Sequence, residues 1–356
     1  MLARTIRAVV ALVAVAMLSG CGISVDFSPD GKTLLVSGGE KGLVLVNADG
    51  SGSQLLPNTK GAGYALWSPD GRYILYGRTD WMGNRDRSKV FLYDLRTKSA
   101  RALPGYLSPP YTFSDDSRQV VAWDKEKACL VWLDVSSGDR LLEVACPVTP
   151  QNTRLHWLPD RYGVAFMAQG EKEGIDVYTV EAGKVYRIST TGDVIGLGLS
   201  PDGKQLLWAR QTGYDTNATV TTFAYDLDTR SVKKLPLQVS VRDLARATLP
   251  RGAKTFARVQ FSPDGEAVVL MVAARYEEKE LPLYQKVFVL PTSGGRSVRV
   301  FSVQSNELLV DVAWSPNSEQ MTLLTLRGEK NMQVEETRLR LRVARPDGSR
   351  RWMVDL

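Results

Sequence analysis

Apolar and polar positions alternate along this chain in short runs, and the runs end at a repeated corner that reads Ser-Pro-Asp-Gly or a close variant. Val25-Asp26-Phe27 precedes the first corner, and the largely apolar run Thr33–Ser37 follows it. Short runs of this kind, bounded by Pro, Asp and Gly, predict β-strands. In the corner itself proline presets φ, aspartate accepts backbone hydrogen bonds and glycine takes a positive φ, so each corner predicts a tight hairpin.

The corner recurs seven times, four times in full and three times in degenerate form. Its first residues are Ser28, Ser68, Ser114, Leu158, Ser200, Ser262 and Ser315. Successive corners lie 40 to 62 residues apart, which is typical of four-stranded propeller blades. The pattern predicts an all-β propeller, a single domain over 21–356, with seven four-stranded blades; six or eight blades stay open. The expected blades are roughly 23–60, 61–104, 105–149, 150–190, 191–254, 255–304 and 305–356.

The Ser-Pro-Asp-Gly units resemble the WD40-like repeats, also called PD40 repeats, of the TolB-type β-propellers. The resemblance covers nearly the whole chain after its leader, and it implies a fold more than a function. Similar repeats occur in prolyl-oligopeptidase-like enzymes, where an α/β-hydrolase domain accompanies the propeller. No such domain is expected after the last repeat of this sequence.

The N-terminus predicts export. Arg4 and Arg7 precede the apolar run Ala8–Leu18, which is too short to span a bilayer and is typical of a secretory signal peptide over 1–20. Leu18-Ser19-Gly20-Cys21 resembles the lipobox of bacterial lipoproteins, which implies a lipid anchor on Cys21. The alternative is an ordinary signal peptide with a chance cysteine. We expect a protein tethered to a membrane, on its periplasmic side or at the cell surface.

Composition narrows the partners only a little. Charged residues make up 24% of the chain and apolar residues 44%, as in a soluble globular protein. Without Arg4 and Arg7 the formal net charge falls from +6 to +4. A mild basic excess does not favour nucleic acid as a partner, and it slightly favours an anionic membrane surface. We expect a monomer that binds a protein or an envelope component.

Two further cysteines lie in the predicted third blade. If the hairpin around Ser137-Gly138 closes with a two-residue turn, Cys129 and Cys146 face each other at a non-hydrogen-bonded pair. An exported protein can oxidise such a pair, so we predict a disulfide, with two buried free thiols as the alternative.

Long loops between the second and third strands of the blades predict the ligand face, since long loops on a rigid scaffold commonly carry binding. The alternative is that these loops are solvated and that their Trp packs on its own blade. The candidate binding residues are Arg78, Trp81, Arg85, Tyr214, Arg275 and Tyr276. In the stretch Gln238–Lys254, the segment Val241–Ala247 has the spacing of a short helix, but we favour a loop packed over the rim.

The sequence offers little catalytic chemistry. His156 is the one histidine, and metal sites usually take several ligands. We find no Gly-x-Ser-x-Gly elbow, phosphate loop or dinucleotide fingerprint, and we expect no catalytic residue, metal or cofactor. The prediction is a non-catalytic propeller scaffold. The alternative is an envelope enzyme that acts on a glycan or another polymer at the propeller's central pocket, which acidic residues could support.

Overall fold

The computed structural model describes residues 22–38, 41–78, 89–151, 154–159, 161–170, 174–189, 193–215, 217–245, 254–275, 284–303, 307–327 and 338–356. In these residues the chain forms seven antiparallel sheets, and each sheet contains four strands that are consecutive along the chain. The predicted all-β propeller with seven four-stranded blades is therefore confirmed.

The first four sheets take their strands in chain order. Sheet 1 contains β1 (Ser24–Phe27), β2 (Thr33–Ser37), β3 (Leu43–Asn47) and β4 (Ser53–Leu55). Sheet 2 contains β5 (Ala62–Trp67), β6 (Tyr73–Arg78), β7 (Lys89–Asp94) and β8 (Ser99–Ala102). Sheet 3 contains β9 (Leu107–Phe113), β10 (Gln119–Asp124), β11 (Cys129–Asp134) and β12 (Arg140–Ala145). Sheet 4 contains β13 (His156–Leu158), β14 (Gly163–Gln169), β15 (Ile175–Glu181) and β16 (Lys184–Arg187).

The last three sheets have longer strands. Sheet 5 contains β17 (Val194–Leu199), β18 (Gln205–Thr212), β19 (Thr219–Asp226) and β20 (Val232–Ser240). Sheet 6 contains β21 (Lys254–Phe261), β22 (Ala267–Arg275), β23 (Tyr284–Pro291) and β24 (Val298–Ser302). Sheet 7 contains β25 (Glu307–Trp314), β26 (Met321–Arg327), β27 (Arg338–Ala344) and β28 (Arg350–Asp355).

Each full corner between the first and second strand is held by one serine and one aspartate. In sheet 1, Ser28 Oγ donates to Asp30 Oδ1 at 2.6 Å, and the Lys32 N–H donates to the same oxygen at 3.0 Å. The Thr33 N–H donates to Ser28 Oγ at 2.9 Å. The hydrogen bond from Ser28 is the largest cause of a lowered pKa at Asp30. The same serine–aspartate bond recurs at Ser68, Ser114, Ser200 and Ser262.

The described residues belong to two compact units. The first unit comprises Gly20–Thr190 with Asp311–Pro316, and the second comprises Thr191–Val310 with Asn317–Leu356. Within the first unit, successive first strands run in the same direction. Gly22, Ser24 and Asp26 contact Tyr64, Ala65 and Trp67 in that order. The corners of sheets 1 to 3 therefore lie at one end of the first unit, and the starts of their first strands lie at the other.

Apolar side chains fill the space between successive sheets. In the first unit, one core lies between sheets 2 and 3 and includes Leu75, Leu107 and Tyr111. Another lies between sheets 3 and 4 and includes Trp132 and Phe166. Both faces of sheet 3 are therefore buried, which explains why the strands β10 and β11 are apolar at nearly every position.

The disulfide prediction is wrong in this structure, because Cys129 and Cys146 are both free and buried. Cys129 pairs with Ala145 across β11 and β12, not with Cys146. The hairpin closes between Leu133 and Arg140, and a register shift follows between Trp132 and Leu133. A one-residue change of register moves a side chain to the opposite face of a sheet. Cys129 accordingly packs in the core against sheet 2, and Cys146 packs in the core against sheet 4.

A second correction concerns the segment after β20. A short helix, α1 (Val241–Ala245), forms where we favoured a loop. Val241 and Leu244 are buried in the core of the second unit, and the Val241 N–H donates to the Ala218 carbonyl at 2.9 Å. The spacing of Val241 and Leu244 predicts this helix, because the two apolar side chains lie one turn apart on one face.

Candidate functional site: a polar cluster on the first strands

Four polar side chains lie on or just before first strands of the first unit and interact electrostatically, and we call them the inner cluster: Asp26, Tyr64, Arg154 and Asp311. Asp26 lies on β1, Tyr64 on β5 and Asp311 on β25, whereas Arg154 lies two residues before β13. Arg154 Nη2 lies 2.9 Å from Asp26 Oδ1. The pair joins the first strand of sheet 1 to the segment that enters sheet 4, so residues distant in sequence form one site.

The carboxylates of the inner cluster are held by backbone N–H groups. Asp26 Oδ2 accepts a hydrogen bond from the Trp67 N–H at 3.3 Å. Asp311 Oδ2 accepts one from the Val25 N–H at 3.1 Å, and its Oδ1 accepts one from the Val312 N–H at 2.9 Å. Each carboxylate oxygen thus has a donor, and the two aspartates bridge neighbouring first strands.

Arg154 is the most accessible charged group of the inner cluster. Its side chain is 47% exposed, against 14% for Asp26. The negative charge of Asp26 is the largest cause that raises the pKa of Arg154 above its ordinary value, and Tyr64 and Asp311 raise it further. The guanidinium is therefore held charged beside Asp26, while 47% of the Arg154 side chain is exposed.

Tyr64 has an unusual backbone conformation at an irregularity in β5. Its φ is +54°, in the left-handed region that a bulky residue rarely adopts. The register of β5 and β6 shifts between Gly63 and Leu66. Tyr111, whose pKa burial raises well above its usual value, donates its hydroxyl to the Tyr64 carbonyl. The Tyr64 ring packs edge-on against the Tyr111 ring, with ring centres 5.8 Å apart, and Tyr64 also contributes to the raised pKa of Arg154.

Sequence reasoning missed the inner cluster, although it carries a detectable signal. Asp26 stands two positions before its corner serine, where the other full corners have Leu66, Gly198 and Gln260. A single carboxylate in a register position that is otherwise uncharged marks an exception within a repeat. Arg154 carries no such signal, because it lies outside a strand and reaches Asp26 only through the fold.

Three of the six candidate binding residues, Trp81, Arg85 and Tyr276, lie outside the described residues, as do Cys21 and the whole leader. Arg275 is the last residue of β22, and its side chain is likewise not described. Arg78 ends β6, where its guanidinium lies 6.0 Å from the ring centre of Phe91, and Phe91 stacks on Tyr76. Since Tyr76 is buried in the core between sheets 1 and 2, Arg78 covers that core at the edge.

Tyr214 lies in the second unit and is 46% exposed. Its hydroxyl donates to Asp193 Oδ1 at 2.8 Å, and burial of the ring is the first cause that raises its pKa to about 12. Its ring centre lies 6.2 Å from that of Phe256. Tyr214 is thus an exposed tyrosine with a fixed orientation, and the described structure does not bring it into the inner cluster.

A second arginine–carboxylate group lies in the second unit, and we call it the buried network. Glu307 Oε1 accepts hydrogen bonds from Arg340 Nη1 at 2.9 Å and from Arg342 Nη2 at 2.7 Å. Arg340 Nη2 also donates to Asp355 Oδ2 at 2.9 Å. Arg342 lies over the ring of Phe301 at 4.6 Å. The side chains of Glu307, Arg340 and Arg342 are at most 9% exposed, so this group ties β25, β27 and β28 together.

Other chemistry is limited in the described residues. His156 is half-buried on β13. Among the residues that the structure describes, no group of three or more His, Cys, Asp and Glu side chains has a metal-binding arrangement. In the same residues, no helix has the length and apolarity needed to cross a bilayer.

Comparison with known proteins shows the fold. No protein-family model matches this sequence, and no curated protein matches it either. Among solved structures, hydrazine synthase of Kuenenia stuttgartiensis superposes with a TM-score of 0.59 at 14% identity, covering 87% of this chain and 96% of that one. The Swd1 β-propeller domain of Myceliophteria thermophila gives a TM-score of 0.57 at 16% identity, with 86% and 94% covered.

A further solved structure superposes less well. TolB of Acinetobacter baumannii is 17% identical over 94% of this chain and 62% of the TolB chain, with a TM-score of 0.47. At such identities the two structures with TM-scores above 0.5 show only the fold of this chain. One is named as an enzyme and another as a propeller domain, so the fold alone does not assign an activity.

Proposed function

We propose that this protein is a non-catalytic binding scaffold of the cell envelope, tethered to a membrane by lipid on Cys21. The inner cluster is its binding site, and a protein segment is its ligand. The observation that carries the proposal is the contrast within the inner cluster. The carboxylates of Asp26 and Asp311 are engaged on both oxygens, whereas the Arg154 side chain is half exposed.

This contrast supports binding over acid–base chemistry. A general acid or base must reach the proton that it transfers, and the hydrogen-bonding positions of both aspartates are already in use. Arginine, by contrast, recognises carboxylates and carbonyl oxygens through its planar set of donors. Arg154 Nη2 is held by Asp26 and the side chain is partly exposed, so the proposal assigns its remaining N–H donors to the ligand.

The charge of the inner cluster also supports a peptide as the ligand. Two carboxylates surround one guanidinium, so the cluster is not a site for a polyanion such as a nucleic acid. A polypeptide segment offers both carbonyl acceptors for Arg154 and amide donors for the phenol oxygen of Tyr64. The propeller supplies a rigid frame for such recognition, because Asp26, Tyr64 and Asp311 stand on strands rather than on loops.

Affinity capture from envelope extract tests the proposal. The full-length lipidated protein should retain a specific protein partner, and Arg154→Gln should weaken that capture by roughly 10- to 100-fold, the range expected for an anchor arginine. Arg118→Gln, at an exposed corner arginine, is the matched control and should leave capture unchanged. Turnover of a cell-wall polymer without any specific protein partner would instead favour the envelope-enzyme alternative and overturn the scaffold proposal.

A further inference from the structure

The backbone of the first described residue, Gly22, is hydrogen-bonded directly to sheets 1 and 2. Its carbonyl accepts hydrogen bonds from the Tyr64 N–H at 2.6 Å and from Ser37 Oγ at 2.8 Å. A Cβ added to Gly63 would lie 2.7 Å from the Gly22 oxygen, so the two backbones pack in direct contact. Cys21 immediately precedes Gly22, and the Cα atoms of adjacent residues are about 3.8 Å apart. A lipid on Cys21 would therefore join the propeller without a linker.

The place where Gly22 is held defines one surface of the first unit. The first strands of sheets 1 to 3 run in the same direction, so their starts lie beside Gly22 and their corners lie at the far end. Four of the exposed described residues near these starts form what we call the entry surface: Lys60, Lys89, Tyr106 and Lys125. Lys60 precedes β5, Lys89 begins β7 beside the end of β6, and Lys125 follows β10.

The chemistry of the entry surface suits lipid headgroups. Its three lysines are exposed, whereas the neighbouring carboxylate Asp124 is buried and paired with Arg140 at 2.6 Å. Glu143 is likewise paired, with Lys127 and Arg140. Among the described residues at this end, Glu126 is the exposed acidic side chain that remains. Tyr106 is 44% exposed, and the Lys125 N–H donates to its carbonyl. Lysine with tyrosine is a composition enriched at membrane interfaces.

We infer that the entry surface lies directly against an anionic lipid surface, with the corners of sheets 1 to 3 facing away from it. This inference rests on the proposed lipidation of Cys21, and it adds the orientation of the protein on the membrane.

Lysine labelling of the lipidated protein in vesicles that contain phosphatidylglycerol tests this orientation. A brief pulse of acetic anhydride labels exposed amines, and mass spectrometry gives the extent at each lysine. The comparison protein carries a Gly-Ser linker of roughly 15 residues between Cys21 and Gly22, enough to separate the propeller from the bilayer by about 20 Å. Three exposed lysines near the corners of sheets 1, 2 and 4 serve as internal controls: Lys32, Lys98 and Lys184.

We expect Lys60, Lys89 and Lys125 to be labelled on the order of fivefold more slowly without the linker than with it, since lysines at an anionic surface are shielded. Lys32, Lys98 and Lys184 should be labelled equally in both proteins. If both sets of lysines were protected from labelling equally, or if neither set were protected, the proposed orientation would be overturned. The mass of the N-terminal peptide is read in the same experiment. An unacylated Cys21 overturns the lipid anchor, and the orientation with it.

Discussion

The inner cluster and the buried network use the same chemistry in opposite surroundings. In the inner cluster one arginine meets Asp26 while nearly half of its side chain is exposed. In the buried network Arg340 and Arg342 share Glu307, whose side chain has no exposed surface. A buried charge must be fully paired to be tolerated, whereas a partly hydrated one needs its partner less. The buried network therefore serves the fold, and the inner cluster can serve recognition.

The largest expected effect is the loss of the shared carboxylate in the buried network. Glu307→Ala should lower the free energy of unfolding by about 3–5 kcal/mol, because two buried guanidinium groups lose their common acceptor. Urea denaturation followed by tryptophan fluorescence measures it. The exposed residue Glu319 provides the control, and Glu319→Ala should change stability by less than about 0.5 kcal/mol. If the two variants were equally stable, the buried network would not be structural.

Acid should weaken the buried network through Asp355. The hydrogen bond from Arg340 is the first cause that lowers the pKa of Asp355 below its ordinary value of 3.8. The stabilisation is thus fully present above that value and is lost as the pH falls below it, through the lower pKa of the folded state. Asp355→Asn should cost about 1–2 kcal/mol at pH 7, because half-exposed pairs are screened.

The same variant should also flatten the loss of stability of the wild-type protein below pH 4. Urea midpoints measured between pH 2 and pH 7 test this expectation. Parallel curves for the wild-type protein and Asp355→Asn over that range would contradict it, because the carboxylate would then contribute equally at every pH.

Removal of the inner-cluster carboxylate should cost less. Asp26→Ala leaves Arg154 half hydrated and leaves the Trp67 N–H without its acceptor, so we expect a loss of about 1 kcal/mol. Asp26→Asn keeps an acceptor for that N–H, and it should recover most of the loss. A loss in Asp26→Ala as large as that in Glu307→Ala would place the inner cluster among the structural networks.

The smallest effect on stability is expected at Arg154 itself. Arg154→Gln should change the free energy of unfolding by less than about 0.5 kcal/mol, because exposed ion pairs contribute little, while it weakens partner capture. This separation of stability from binding distinguishes a recognition residue from a structural one. A variant that loses stability and capture together would show that Arg154 supports the fold.

The fold was predictable because its corner is local. Ser28 and Asp30 bond within one turn, and the same motif, complete at four corners and degenerate at three, predicts all seven hairpins. The error in the predicted register of one hairpin was also local in origin. The hairpin after Asp134 uses a longer loop than a two-residue turn, so a count along the sequence placed Cys146 one position away from where it lies.

The inner cluster, by contrast, depends on contacts that no short pattern encodes. Asp26 lies on β1 whereas Arg154 precedes β13, far along the sequence, and Asp311 reaches Val25 from the last sheet. Spacing can predict that each first strand exists, but it does not predict which side chains of different strands meet. Arg78 shows the converse, since a residue singled out for its loop proved to cover a core.

The placement of the two thiols on opposite faces of sheet 3 has a consequence for their reactivity. Cys129 lies in the core against sheet 2 and Cys146 in the core against sheet 4. Burial is the first cause that raises the pKa of each thiol above its ordinary value. Since the thiolate is the reactive form, both thiols should react slowly with an added alkylating reagent while the third blade stays folded.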